Sequence, residues 1–253
     1  MKEQRHLQIC QFINQNGQAT SKELSDQFGV SDITIRRDLY ELAESGLIRR
    51  THGGGMILNK DNGQAPVIHR MVQNQQEKET IALTAAALIN DGNSVFLGSG
   101  STIAFMAKHL LHRKRLTVVT NALNIGIDFA NAEDITVVVT GGMMRPSELS
   151  LIGHISDQAL REVRVDKVVI GIPAIDIKAG LTNDYLPEVI TDRIILDLGS
   201  ELILLADHSK FGKLASAYLA PINRVTTLVT DSQTDPQILD QIKAMGVNVI
   251  IAE

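Results

Sequence analysis

Ser31-Asp32-Ile33-Thr34-Ile35-Arg36-Arg37-Asp38-Leu39 is the stretch on which the reading of this chain turns. Ser31 stands where an N-cap belongs, with a hydroxyl able to accept a backbone N–H of the first turn. Ile35, Leu39 and Leu42 recur at i, i+4 and i+7, so one stripe of the helix is apolar and faces a core. Thr34, Arg36 and Arg37 fall on its other sides. A short hydroxyl beside two guanidinium groups suits a helix lying in a major groove. Thr touches a thymine methyl or a base edge, and Arg grips guanine or a phosphate. The same nine residues also fit an ordinary amphipathic surface helix, so the flanking sequence decides.

Upstream, residues 4–15 carry Leu7, Ile9, Cys10, Phe12 and Ile13 at helical spacing, and Asn16-Gly17 ends that run. Thr20-Ser21-Lys22-Glu23 is a capping-box pattern opening a short helix to Phe28. Gly29-Val30 makes the tight turn into Ser31, the Gly free to take positive φ and the Val plugging the junction of the two helices. Downstream, the central helix runs to about Glu44, where Ser45-Gly46 stops it. Leu47 to Ile57 reads as strand, glycine tip, strand, a β-hairpin wing. Gly53-Gly54-Gly55 would let its backbone approach a phosphodiester, with Arg49, Arg50 and His52 as nearby basic or polar groups. Alone, the glycines also read as a flexible linker and His52 as a solvated surface histidine. The ordered set predicts a winged helix-turn-helix over residues 1–58. Its DNA-facing residues are Thr20, Ser21, Ser31, Thr34, Arg36, Arg37, Arg50, His52 and Gly53.

Residues 59–75 begin polar and turn-rich and read as a linker. From 76 to 253 helical and β-branched runs alternate. Strands are predicted at 94–97, 116–120, 135–140, 167–172, 201–206, 225–230 and 247–251, with helices at 76–89, 187–198 and 236–245 and another ending at Leu111. Short continuous apolar strands between helices indicate a buried, mainly parallel sheet, so this part is an α/β domain.

Open α/β sheets bind ligands at the carboxyl ends of their strands. Gly98-Ser99-Gly100-Ser101-Thr102 follows the first strand and opens a helix. Its backbone N–H groups, hydroxyls and helix dipole favour an anion. It is neither a Walker A loop nor GxGxxG. Asn121, Gly141-Gly142 and Asp207-His208-Ser209-Lys210 end three other strands. Lys210 supplies a point charge for a phosphate and Asp207 an acceptor for a sugar hydroxyl. Each also reads as a solvated loop, but four polar strand ends on one edge point to a small anionic ligand. No catalytic residue, metal or cofactor is expected. Asp207, His208 and Ser209 are merely adjacent, and HExxH, GxSxG and paired metal-ligand spacings are missing from the sequence.

Composition constrains the partners. Residues 1–60 hold 8 basic and 7 acidic residues, and the remainder 16 and 22, within a formal net charge of −5. That permits a small DNA-reading module on an acidic body. Aromatics at 4%, with no Trp, argue against stacking platforms for single strands. A lone Cys10, a polar N-terminus and no apolar run near roughly 20 residues lead to the expectation of a cytoplasmic protein without membrane contact.

Ser31-x-x-Thr34-Ile35-Arg36-Arg37-Asp38-Leu39, Gly46-Leu47-Ile48-x-Arg50-x-His52-Gly53-Gly54, Glu77-Lys78, Gly100-Ser101-Thr102, Thr120-Asn121, Gly141-Gly142, Gly180-Leu181-Thr182 and Asp207-x-Ser209-Lys210-Phe211-Gly212 together resemble the DeoR family of bacterial sugar-metabolism regulators. The resemblance implies an N-terminal winged helix-turn-helix on operator DNA. It also implies a non-catalytic sensor domain similar in fold to ribose 5-phosphate isomerase. A repressor released by a phosphorylated sugar or polyol, assembled as a homodimer or homotetramer, is the expectation. Many members carry Asp where this chain has Gly98, which removes a carboxylate that would hold a sugar hydroxyl. The alternative is a sugar-phosphate isomerase-like enzyme carrying a helix-turn-helix. It would need a carboxylate base, for which Asp176, Asp184 and Glu188 are the candidates.

Overall fold

The computed structural model describes residues 2–44, 47–56 and 65–253. The helix stop at Ser45-Gly46, the wing end at Ile57 and the opening of the linker at 59–64 lie outside the described residues. The chain forms two compact units, residues 1–73 and 74–253.

The first unit runs α1 (Lys2–Asn16), β1 (Gln18–Thr20), α2 (Ser21–Phe28), α3 (Asp32–Glu44), β2 (Arg49–Thr51), β3 (Gly54–Met56) and α4 (Val67–Arg70). The capping box closes as its residues require. Thr20 Oγ1 accepts from the Glu23 N–H at 3.2 Å, and the Glu23 carboxylate accepts from the Thr20 N–H at 2.8 Å. Gly29 exits α2 at φ +63°, and Ser31 Oγ then caps α3 by accepting from the Thr34 N–H at 3.2 Å. Ile9, Ile13, Leu24, Ile35, Leu39, Leu42 and Ile48 close over one another as the core. α4 falls within the stretch read as linker.

β1 was not evident as a strand, yet it pairs with β3 and makes the sheet order β1-β3-β2. This changes the reading of the glycine run. A Cβ at Gly54 would lie 2.0 Å from the Ala19 carbonyl oxygen, and one at Gly55 would lie 2.8 Å from Ile48 Cδ1. Those two glycines are needed because β3 is pressed against β1 and the core, not because they approach a phosphodiester. Thr51 pairs with Gly54, so His52 and Gly53 alone form the exposed tip.

The second unit comprises α5 (Gln75–Ala86), β4 (Ser94–Leu97), α6 (Ser101–Leu110), β5 (Leu116–Thr120), α7 (Leu123–Asp128), β6 (Ile135–Val139), β7 (Met143–Arg145), β8 (Ser150–Ile152), α8 (His154–Arg161), β9 (Val165–Gly171), β10 (Ala174–Asp176), β11 (Gly180–Asn183), α9 (Val189–Leu196), β12 (Gly199–Leu205), β13 (Ala217–Ala220), β14 (Thr227–Asp231), α10 (Pro236–Ala244) and β15 (Asn248–Ala252). Seven parallel strands form one sheet in the order β15-β14-β12-β9-β4-β5-β6. Buried Val, Ile and Leu fill much of the five inner strands, as in a sheet covered on both faces, while the edge strands β6 and β15 leave Val138, Val139 and Ile251 exposed. The chain winds outward from β4 to β6, then crosses to β9 and winds outward the other way. The order therefore reverses between β4 and β9, and the crevice at that reversal is where such sheets take ligands. β7–β8 and β10-β11-β13 form two small antiparallel sheets.

Candidate DNA interface and effector site

α3 presents Arg36 and Arg37 with side chains 63% and 79% exposed. Each guanidinium is tethered one turn away, Arg36 Nε to Asp32 at 2.7 Å and Arg37 Nε to Glu41 at 3.4 Å. Exposed pairs of this kind hold weakly, so the tethers pre-orient both groups and yield to a stronger acceptor. Thr34 is half-buried beside the Ser31 cap. Arg50 reaches the same face, its Cζ 6.0 Å from the ring centre of exposed Tyr40. His52 and Gly53 stand at the wing tip.

Two expected DNA-facing residues are otherwise occupied. Thr20 is exposed, but its hydroxyl serves the capping box. Ser21 is buried. Its N–H donates to the Gly53 carbonyl at 2.7 Å, and its hydroxyl bonds the Asp32 carboxylate, holding that carboxyl below its usual range. Ser21 thus positions the wing tip and the start of α3 from behind the surface. Sequence reasoning missed Ile33, 80% exposed on the first turn of α3, an apolar group suited to a thymine methyl. It also missed Asp38, which turns inward and accepts from Arg5 Nε at 2.6 Å and bonds His6 Nε2 at 3.0 Å. Its signal was its place, i+3 from Ile35 and next to Leu39, on the apolar stripe.

In the second unit the loop after β4 lies at the reversal point. The Gly98 N–H is spent on the Val169 carbonyl at 2.9 Å. Gly100, at φ +120°, turns the chain so that α6 starts at Ser101 without a side-chain cap. The amides opening α6 have no intrahelical acceptors and form the positive end of the helix dipole. Thr120 pairs with Leu97, so Asn121 lies beside Gly98. Asp207 is buried at the end of β12 and accepts from Asn74 Nδ2 at 3.1 Å and from the Ser209 N–H at 3.0 Å. Burial alone would raise its carboxyl, but Ser209, Lys210 and Lys78 outweigh that and hold it below the usual range. Lys78, buried on α5, is a cation the sequence left without a role.

The loop, Asn121, Asp207 and Lys210 therefore share one edge within two strand spacings of β4, about 10 Å. Gly141 and Gly142 lie two strands away on the far side, and packing explains the second of them. Gly142, at φ +122°, would place a Cβ 2.8 Å from the Ile152 carbonyl oxygen. The three carboxylates weighed as an isomerase base are scattered. Asp176 caps a turn by accepting the Lys178 and Ala179 N–H groups at 2.9 and 2.8 Å. Asp184 takes the Ser216 hydroxyl on its backbone carbonyl, and Glu188 is buried against Arg145 and Ser150. Among the described residues no group of three His, Cys, Asp or Glu is placed to hold a metal ion, and no helix is long and apolar enough to cross a membrane.

Residues 5–61 match the family described as "DeoR-like helix-turn-helix domain", and residues 73–232 match "DeoR C terminal sensor domain". The chain is 35% identical over 229 residues to the glycerol-3-phosphate regulon repressor of Escherichia coli, covering 90% of each protein. It is 30% identical over 250 residues to the HTH-type transcriptional regulator GolR of Listeria innocua, covering 99% of this chain and 98% of that one. Among solved structures it is similar to ribose 5-phosphate isomerase A of Methanocaldococcus jannaschii, with a TM-score of 0.41 and 21% identity over 55% of each chain. With both family domains matched in order and full-length relatives that are regulators rather than enzymes, the chain belongs to the DeoR family of DNA-binding transcriptional regulators.

Proposed function

We propose that this regulator represses a carbohydrate-catabolic operon from the cytoplasm and is released from operator DNA by a small phosphorylated sugar or polyol. Residues 1–58 read the DNA, 59–75 link, and 76–253 sense, in a homodimer or homotetramer. Arg36 and Arg37 enter the major groove, with Arg50, His52 and Gly53 on the flanking backbone. The effector's phosphate docks on Ser99, Gly100, Ser101 and Thr102, with Lys210 completing the charge. The observation that carries this reading is the uncapped start of α6 at the strand-order reversal, on the edge that also holds Lys210. A relative named for the glycerol-3-phosphate regulon supports a polyol phosphate as one candidate.

The test is a thermal-shift screen of glycerol 3-phosphate, fructose 1-phosphate, tagatose 6-phosphate and sorbitol 6-phosphate, followed by operator-release titrations. One of these raises the melting temperature, since a ligand of the folded state stabilises it, and releases the DNA at similar concentration. A regulator that binds its operator but responds to no phosphorylated compound overturns the sensing half of the proposal.

A further inference from the structure

The hairpin β7–β8 is stitched to the end of β5. The Leu151 N–H donates to the Asn121 carbonyl at 2.7 Å, the Leu123 N–H to the Leu149 carbonyl at 2.9 Å, and Ala122 bridges Ser150. Arg145 and Ser150 are partners across that hairpin. They are thereby carried to the strand end that bears Asn121, beside the Gly98–Thr102 loop. Arg145 is 4% exposed, and its guanidinium lies 4.2 Å from the ring centre of Tyr185. Its Nε donates to Ser147 Oγ at 3.1 Å and its Nη1 to Glu188, whose other oxygen accepts from Ser150 Oγ at 2.8 Å. Among the described residues Arg145 Nη2 has no acceptor. Asn121 is 2% exposed, and its Nδ2 donates to the Leu151 carbonyl at 3.3 Å, which fixes the amide's orientation. Its Oδ1 has no donor among the described residues.

Buried polar atoms without partners are rare in native proteins and mark places where another group belongs. Here one is a donor and the other an acceptor. An ionised phosphate offers only acceptors and leaves Asn121 Oδ1 unmet, whereas an alcohol both donates and accepts. The surroundings also disfavour an anion. Glu188 already pairs with Arg145, and Asp192 feels the charges of Glu188, Arg145 and Glu148; burial, followed by the charge of Glu188, pushes the Asp192 carboxyl well above the usual range.

We propose that Arg145 Nη2 and Asn121 Oδ1 form a hydroxyl-reading subsite for the carbon chain of a ligand whose phosphate sits on the Gly98–Thr102 loop. This rests on the loop being the phosphate site. The subsite selects neutral, polyhydroxylated phosphates over phosphate alone, and the Glu188–Ser150 contacts hold Arg145 in place for it.

The experiment compares dissociation constants of the full chain for inorganic phosphate and for the tightest ligand of the four-compound screen. Asn121→Ala removes the acceptor and leaves the Arg145–Glu188 pair intact. The paired variant Arg145→Met/Glu188→Gln removes both charges together, so neither is left buried alone. Each is expected to weaken the polyol or sugar phosphate at least about tenfold while phosphate affinity stays within about twofold. Should the paired variant not fold, Asn121→Ala decides alone. Equal losses for both ligands, or no loss for either, overturn the subsite. A wild-type chain that binds neither phosphate nor any of the four compounds overturns the phosphate site itself, and the subsite falls with it.

Discussion

At the scale of single residues, the charged motif on α3 divides by direction. Arg36 and Arg37 face solvent, while Asp38 ties α3 to α1 through Arg5 and His6. Burial would raise the Asp38 carboxyl, but the hydrogen bonds from Arg5 and His6 win and hold it below the usual carboxylate range. A depressed carboxylate stabilises the fold fully above its unfolded pKa, and that stabilisation disappears as pH falls through the folded value. Asp38→Asn is therefore expected to cost about 2–3 kcal/mol at neutral pH, the scale of a charged hydrogen-bond pair. The gap to wild type should hold down to about pH 5 and close below about pH 4, followed by circular dichroism in urea. A gap indifferent to pH would show that the carboxylate charge does not make the bond. Arg37→Ala tests the outward side. Specific operator binding should weaken by roughly 1–3 kcal/mol with relaxed base preference, whereas unchanged preference in a binding titration would exclude Arg37 from base reading. Cys10 is 4% exposed and burial pushes its thiol up to about 11, so a disulfide reagent should titrate it only as the fold opens.

At the scale of elements, the wing separates packing glycines from a tip glycine. Gly54→Ala drives a Cβ into the Ala19 carbonyl and must part β3 from β1, whereas the Cβ of Gly53→Ala meets nothing within 4 Å among the described residues. The first should cost on the order of 1–3 kcal/mol or more in denaturant midpoint, and the second almost nothing. Equal losses would mean that the β1–β3 contact does not hold the wing. Arg50→Ala should weaken specific and random DNA alike and lower the salt slope by about one unit, as loss of a phosphate contact does. These distinctions were only partly legible beforehand. The seven parallel strands end within two residues of where continuous apolar runs placed them, because each run supplies the β-branched and apolar residues of one strand of the sheet. The capping box and the Gly29 turn were legible because local chemistry alone dictates them. β1, β7, β8, β10, β11 and β13 span only three or four residues, too few for a period to register. The demand for glycine at 54 and 142 comes from backbones distant in sequence, as does the burial of Arg145, so local pattern carried no trace of either.

At the scale of the whole molecule, a regulator must convert occupancy of one unit into release by the other. An effector can shift that equilibrium only by its differential affinity for the DNA-bound and DNA-free states. The variant that tests the sensing end must therefore change effector affinity without touching the reading face. Lys210, the proposed phosphate contact, is the residue to change. It belongs to the short helical turn 208–210 capped by Asp207, in a compact unit separate from α3 and the wing. Lys210→Ala removes a cation from a buried carboxylate that Lys78 also stabilises, so the local fold keeps one of its two ammonium neighbours. DNA affinity in the absence of effector should stay near wild type by fluorescence anisotropy. The effector concentration for half-release should rise roughly ten- to hundredfold, the equivalent of one charge-assisted contact. The outcome is a repressor that remains on its operator when inducer is present. Release at the wild-type concentration would place the phosphate away from Lys210. Loss of DNA affinity without effector would instead make Lys210 part of the coupling between the units, since a residue that only senses has no means of weakening the DNA-bound state by itself.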